Sequence, residues 1–135
     1  MITPELTYLA YAVIFLVIHM VAQAGLAVLT NGIAWGMSPR DYDTDPGKPA
    51  SRAARALTNY VYNLPAFVAL ALAVTVADVN SDSTATGAAI WFWARVVYLP
   101  FYIFAVPVLR SVAWLASVAG LIMMLLPLLS GGTAT

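Results

Sequence analysis

Four apolar runs, each near the roughly 20 residues a helix needs to cross the hydrocarbon core of a bilayer, govern what this chain can become. They cover about 6–29, 52–77, 85–106 and 111–129 of its 135 residues. The first is closed by Thr30, Asn31 and Gly32 and holds only His19 and Gln23 as strongly polar members. Positions 38–51 follow, with Arg40, Asp41, Asp43, Asp45, Gly47 and Lys48, and read as a solvated loop. Asp78 to Ser83 make a short polar turn. Pro107 to Arg110 read as a tight connection, because the residue before a proline is pushed out of the helical region. The closing Ser-Gly-Gly-Thr-Ala-Thr is expected to fray. Strands of a membrane barrel would alternate apolar and polar residues, and no run here does. The chain therefore reads as all-α: one multi-pass membrane domain, residues 1–135, folded as a four-helix bundle.

Composition narrows the functions open to such a bundle. Only 9% of residues are charged and 62% are hydrophobic, where a soluble domain is nearer a quarter charged. Six Lys and Arg balance six Asp and Glu, so the basic face that nucleic acid requires is missing. With no Cys and a single His, thiol catalysis, disulfides, iron–sulfur clusters and the common zinc sites are excluded, and no metal is expected. Arg40, Lys48, Arg52 and Arg55 flank the first loop and Arg110 marks the third, whereas the second carries only Asp78 and Asp82. The positive-inside rule then predicts loops one and three in the cytoplasm and both termini on the other side. No Lys or Arg precedes the first run, so it is expected to be a permanent span rather than a cleaved signal.

Charges inside membrane helices are costly and usually face protein or water, which draws attention to two stripes. Arg52, Arg55, Asn59 and Tyr62 follow one another at three, four and three residues, and Arg95, Tyr98 and Tyr102 at three and four, with Arg110 beyond. Such spacing puts each set on one helix face. Facing each other, the stripes would combine guanidinium, amide and phenol groups. Guanidiniums bind carboxylates bidentately and favour the thiolate form of a nearby thiol, so an anionic, peptide-like ligand bearing a thiol suits the pocket. Plainer readings stand beside this one. Arg52 and Arg55 can snorkel to lipid phosphates, Trp91, Trp93, Trp114 and the tyrosines can form an interfacial belt, and Asn59 and Asn63 can bond between helices. His19 reads as a packing residue and Pro65 as a kink. Arg95, about ten residues into its run, needs a partner in any reading.

The run from Arg52 through Arg55, Asn59, Tyr62, Asn63 and Pro65 to Phe67 resembles the second-helix signature of the MAPEG family, the membrane-associated proteins in eicosanoid and glutathione metabolism. Arg55, Asn59 and Pro65 match it, and Tyr62 stands where the signature has Glu. Gly36 to Asp41 and the stretch from Ala94 through Arg95, Tyr98, Tyr102, Pro107 and Arg110 to Trp114 are similar to bacterial members. The resemblance implies a homotrimer of four-helix subunits in membrane lipid, in a bacterium its inner membrane, with glutathione in grooves between subunits near the cytoplasmic side. It implies that Arg55, Asn59 and the position of Tyr62 hold glutathione, that Arg95, Tyr98 and Tyr102 complete the site, and that Arg110 activates the thiol. Two functions are open: a glutathione-dependent transferase or peroxidase acting on lipophilic electrophiles, or a non-catalytic trimeric scaffold, lipid-binding or accessory subunit of a larger membrane complex. Proton transport is disfavoured, since no apolar run contains a carboxylate.

Overall fold

In a computed structural model, which describes residues 1–41 and 44–131, every regular element is a helix. These are α1 (Pro4–Asn31), the short α2 (Ile33–Gly36), α3 (Lys48–Val76), α4 (Asp82–Ile103) and α5 (Pro107–Leu129). Asp43 of the first loop and the last four residues of the tail expected to fray lie outside the described residues.

Local chemistry explains where the helices begin and end. The Thr3 side chain caps α1 by accepting from the Leu6 N–H at 3.4 Å, and Pro4 opens the first turn. Gly32, at φ +91°, then breaks the helix in a conformation that L side chains rarely adopt. Gly47 at φ +84° and Pro49 start α3 at Lys48, four residues before the expected position 52. A capping box between Ser81 and Thr84 starts α4. α5 begins at Pro107 rather than near 111: proline is well suited to a first turn, where its missing N–H has no partner to lose, so the expected connection is the opening of the helix. α3 and α4 both end in Schellman motifs. Val79 N–H bonds to Val74 O and Val106 N–H to Phe101 O, with Asp78 and Ala105 taking the left-handed position at φ +56°.

The four long helices form a bundle in which α4 packs most extensively on α5 and α1 on α3, while α1 and α5 do not meet among the described residues. At the α4–α5 crossing Gly87 and Gly120 face each other. A Cβ on Gly120 would lie 2.5 Å from Gly87 O, so the two backbones approach as only glycine allows. The core between α1, α3 and α4 is aromatic, with Phe67 and Trp91 stacked 4.0 Å apart and His19 stacked on Tyr60 at 4.7 Å. The Tyr60 hydroxyl donates to Ala12 O across helices at 2.6 Å. At the opposite end from the first loop, Glu5 is fully buried in the first turn of α1 and accepts from Asn80 Nδ2 at 2.8 Å and from the Thr84 hydroxyl. α1 starts at Pro4, two residues before the expected Leu6, so contrary to the sequence-based expectation this span does contain a carboxylate. α1, α3 and α5 are each long and apolar enough to cross a membrane. The chain is an all-α integral membrane four-helix bundle.

Candidate functional site

Where α3 and α5 diverge over the C-terminal half of α4, a groove of about 640 Å³ opens along the bundle. α3 contributes Arg55, Thr58, Asn59 and Tyr62, α4 contributes Tyr98 and Tyr102, and α5 contributes Arg110, Ser111, Trp114 and Leu115. The three-and-four spacing on α3 puts its members on one wall, and Tyr98 and Tyr102 form the floor with ring centroids 5.6 Å apart. Six of the seven residues to which the resemblance gives a ligand role, Arg55, Asn59, Tyr62, Tyr98, Tyr102 and Arg110, thus line one space.

Its electrostatics are one-sided. The Arg110 guanidinium lies 4.8 Å from the Tyr102 ring centroid and that of Arg55 5.9 Å from the same ring, so one phenol carries two cations. Among the described residues no carboxylate lines the groove. A smaller cavity of about 280 Å³ adjoins it, sharing Arg55, Tyr102 and Arg110 and adding Arg52. Arg52 is anchored there through Nη1, which donates to Ile103 O at 3.1 Å and caps the C-terminus of α4.

Arg95 is the residue the groove does not include. It is 0% exposed, one turn deeper than Tyr98, with its guanidinium carbon 4.4 Å from the Tyr98 ring centroid and 5.7 Å from that of Tyr60. Its Nη2 donates to Asn59 Oδ1 at 2.6 Å, while Nε and Nη1 have no hydrogen-bond partner among the described residues. Asn63 Nδ2 donates to Asn59 O at 2.7 Å and approaches Asn59 Oδ1 at 3.4 Å. The Asn59 side-chain oxygen is therefore engaged by Arg95, and the residue is one of those that line the groove.

Tyr62 lines the groove at its rim, where it is 81% exposed. Four lining residues, Thr58, Ser111, Trp114 and Leu115, were not among those expected to hold a ligand. Thr58 sits three after Arg55 and four before Tyr62, so the same spacing rule reaches it. The Thr58 and Ser111 hydroxyls each donate back to the carbonyl four residues earlier, Ala54 O and Pro107 O, both at 3.0 Å. Their oxygen lone pairs remain available as neutral acceptors. Among the described residues no group of His, Asp and Glu side chains is clustered to hold a metal ion.

The arrangement can fix an anion with two guanidiniums, an amide and phenol groups, accept peptide N–H groups on two hydroxyls, and lay an apolar moiety against Trp114 and Leu115. The model of the MAPEG family matches residues 7–130. No curated protein and no solved structure matches the chain.

Proposed function

The chain belongs to the MAPEG family, and from that membership we propose that its groove binds glutathione and transfers the thiol to a lipophilic electrophile dissolved in the membrane. The observation that carries this reading is the pair of guanidiniums, Arg55 and Arg110, over one tyrosine ring in a groove that no carboxylate lines among the described residues. Glutathione brings two carboxylates, two peptide N–H groups and a thiol. Arg55 and the Asn59 amide bind carboxylate, Thr58 and Ser111 accept peptide N–H groups, and Arg110 with the Tyr102 hydroxyl faces the sulfur. A cation and a hydroxyl donor there lower the thiol pKa and hold the thiolate. The thiolate sulfur attacks an electrophilic carbon, a C–S bond forms, and the leaving group departs with the bonding pair. The electrophile arrives along the apolar wall of Trp114 and Leu115, the open side of the groove being covered by a second copy in a homotrimer.

A second reading draws on the adjoining cavity, where Arg52 joins Arg55 and Arg110: an anionic lipid headgroup held by a protein that does no chemistry. Calorimetry on the detergent-solubilised protein separates the two. Glutathione binding that weakens at least tenfold in Arg55→Ala, about 1.4 kcal/mol, supports the thiol reading. Absence of binding to glutathione, with binding to anionic lipid retained, supports the other.

A further inference from the structure

The smaller cavity beside the groove, about 280 Å³, is where basic side chains from two helices meet: Arg52 and Arg55 from the start of α3, and Arg110 from the first turn of α5. Arg52 lines this cavity and not the groove. Its bond to Ile103 O at 3.1 Å uses one of five N–H donors and fixes the guanidinium at the wall. A phosphate offers acceptor oxygens in several directions, so guanidiniums arriving from two helices suit it. The described acids of the first loop are placed elsewhere: Asp41 lines a separate pocket with Trp35 and Arg40, and Asp45 Oδ1 accepts from the Gly47 N–H at 2.8 Å. Asp43 lies outside the described residues. Positions 105–107, which also line the cavity, are flanked by Phe104 and Val108, 76% and 72% exposed, where the membrane-spanning α5 begins. Cations at the end of a spanning helix with apolar side chains beside them match a lipid, its phosphate in the cavity and its acyl chains along the helix.

We propose that this cavity is a phosphate site distinct from the thiol groove, filled by the headgroup of an anionic lipid, and that its occupancy opposes ligand binding in the groove. The site stands without the glutathione reading, and the opposition rests on that reading. Arg55, Tyr102 and Arg110 line both spaces, so an anion in either draws on the same two guanidiniums and repels a second anion beside it. The effect is reciprocal: the thiol ligand weakens the lipid as much as the lipid weakens the thiol ligand.

The test uses the full chain as it assembles in detergent, so that any second copy covering the groove is present. Short-chain phosphatidylglycerol, short-chain phosphatidylcholine and sodium phosphate are titrated separately in a calorimeter. Phosphatidylglycerol is expected to bind saturably, about tenfold more weakly in Arg52→Gln, with Arg52→Lys recovering part of the loss because it restores the charge. It is also expected to lower the glutathione affinity of the wild type about threefold or more, whereas without lipid Arg52→Gln and the wild type bind glutathione equally. Unchanged phosphatidylglycerol binding in Arg52→Gln, or equally tight binding of phosphatidylcholine, overturns the site. Lipid binding that leaves glutathione affinity untouched overturns the opposition. Sodium phosphate that matches the lipid in affinity and in dependence on Arg52 keeps the site and makes free phosphate its occupant. If glutathione does not bind at all, the thiol reading falls, and the two Arg52 variants alone decide the phosphate site.

Discussion

Asn59 lines the groove with its side-chain oxygen bonded to Arg95. Burying a guanidinium with two of its nitrogens unpartnered is expensive, and the bond to Asn59 together with the tyrosine rings on either side supplies only part of the compensation. Arg95 is therefore a positioning residue, and its removal separates binding from stability. Arg95→Met fills similar volume without the charge. It should weaken glutathione binding about tenfold, near 1.4 kcal/mol, while thermal unfolding shifts by no more than about 1 kcal/mol, since replacing a poorly satisfied buried charge by an apolar side chain is often close to neutral. Unchanged affinity in calorimetry would mean that Asn59 holds its orientation unaided. His19 offers a contrast: it is buried with neither ring nitrogen bonded, and it touches the site only through its stack on Tyr60. His19→Met is expected to keep affinity within about twofold and to hold or raise stability, because an unbonded buried polar group costs about 1–3 kcal/mol. The spacing of Arg95, Tyr98 and Tyr102 was legible in the sequence, and it does place them on one face. Depth was not. One turn below Tyr98, α1 and α3 close over α4, and periodicity along one helix carries no information about where its neighbours cover it.

Helix ends and crossings show a similar division between what one helix encodes and what two create. Run lengths located the four long helices, but the boundary at Pro107 depended on reading proline as a first-turn residue, and Glu5 was lost by starting α1 two residues late. The glycine contact could not be read at all, since Gly87 and Gly120 acquire meaning only when α4 and α5 are laid together. Gly120→Ala would push its Cβ to 2.8 Å from Trp91 N as well as onto Gly87 O. Both are backbone atoms that no rotamer change can move aside, so the helices must separate. A loss of roughly 1–3 kcal/mol is expected in thermal or denaturant unfolding, and Gly87→Ala should match it. Ala105 gives the opposite sign. It occupies the left-handed position of the α4 Schellman motif at φ +56°, where a Cβ costs about 1 kcal/mol. Ala105→Gly should recover most of that, read as a higher unfolding midpoint, with no change in the groove because its backbone bonds are kept. Pro127 explains one further contact. It leaves Met123 O without its helical partner, and the Ser83 hydroxyl of α4 lies 3.5 Å from that oxygen.

Across the whole molecule, charge is sorted by end. Arg40, Lys48, Arg52, Arg55 and Arg110 all gather where α1 ends, α3 and α5 begin and α4 closes, among the acids of the first loop such as Asp41 and Asp45, while the far end carries only acids, Glu5, Asp78 and Asp82. The groove lies at the basic end, so in the proposed reading the thiol enters from the side of the membrane that holds this end. Basic residues close to membrane helices are retained in the cytoplasm, so we propose that both termini lie outside and that the groove opens to the compartment where reduced thiols are kept. Because the chain has no cysteine, two single substitutions can report this without background. Ile2 and Met37 are both exposed, one ahead of α1 and the other just after α2, at opposite ends of the bundle. In intact cells a membrane-impermeant maleimide should label Ile2→Cys and leave Met37→Cys unlabelled until the membrane is permeabilised. The reverse pattern would invert the chain and turn the groove away from the cytoplasm. A supply of reduced thiol from that side would then be ruled out, and the arginines would be left to bind anions of the outer surface.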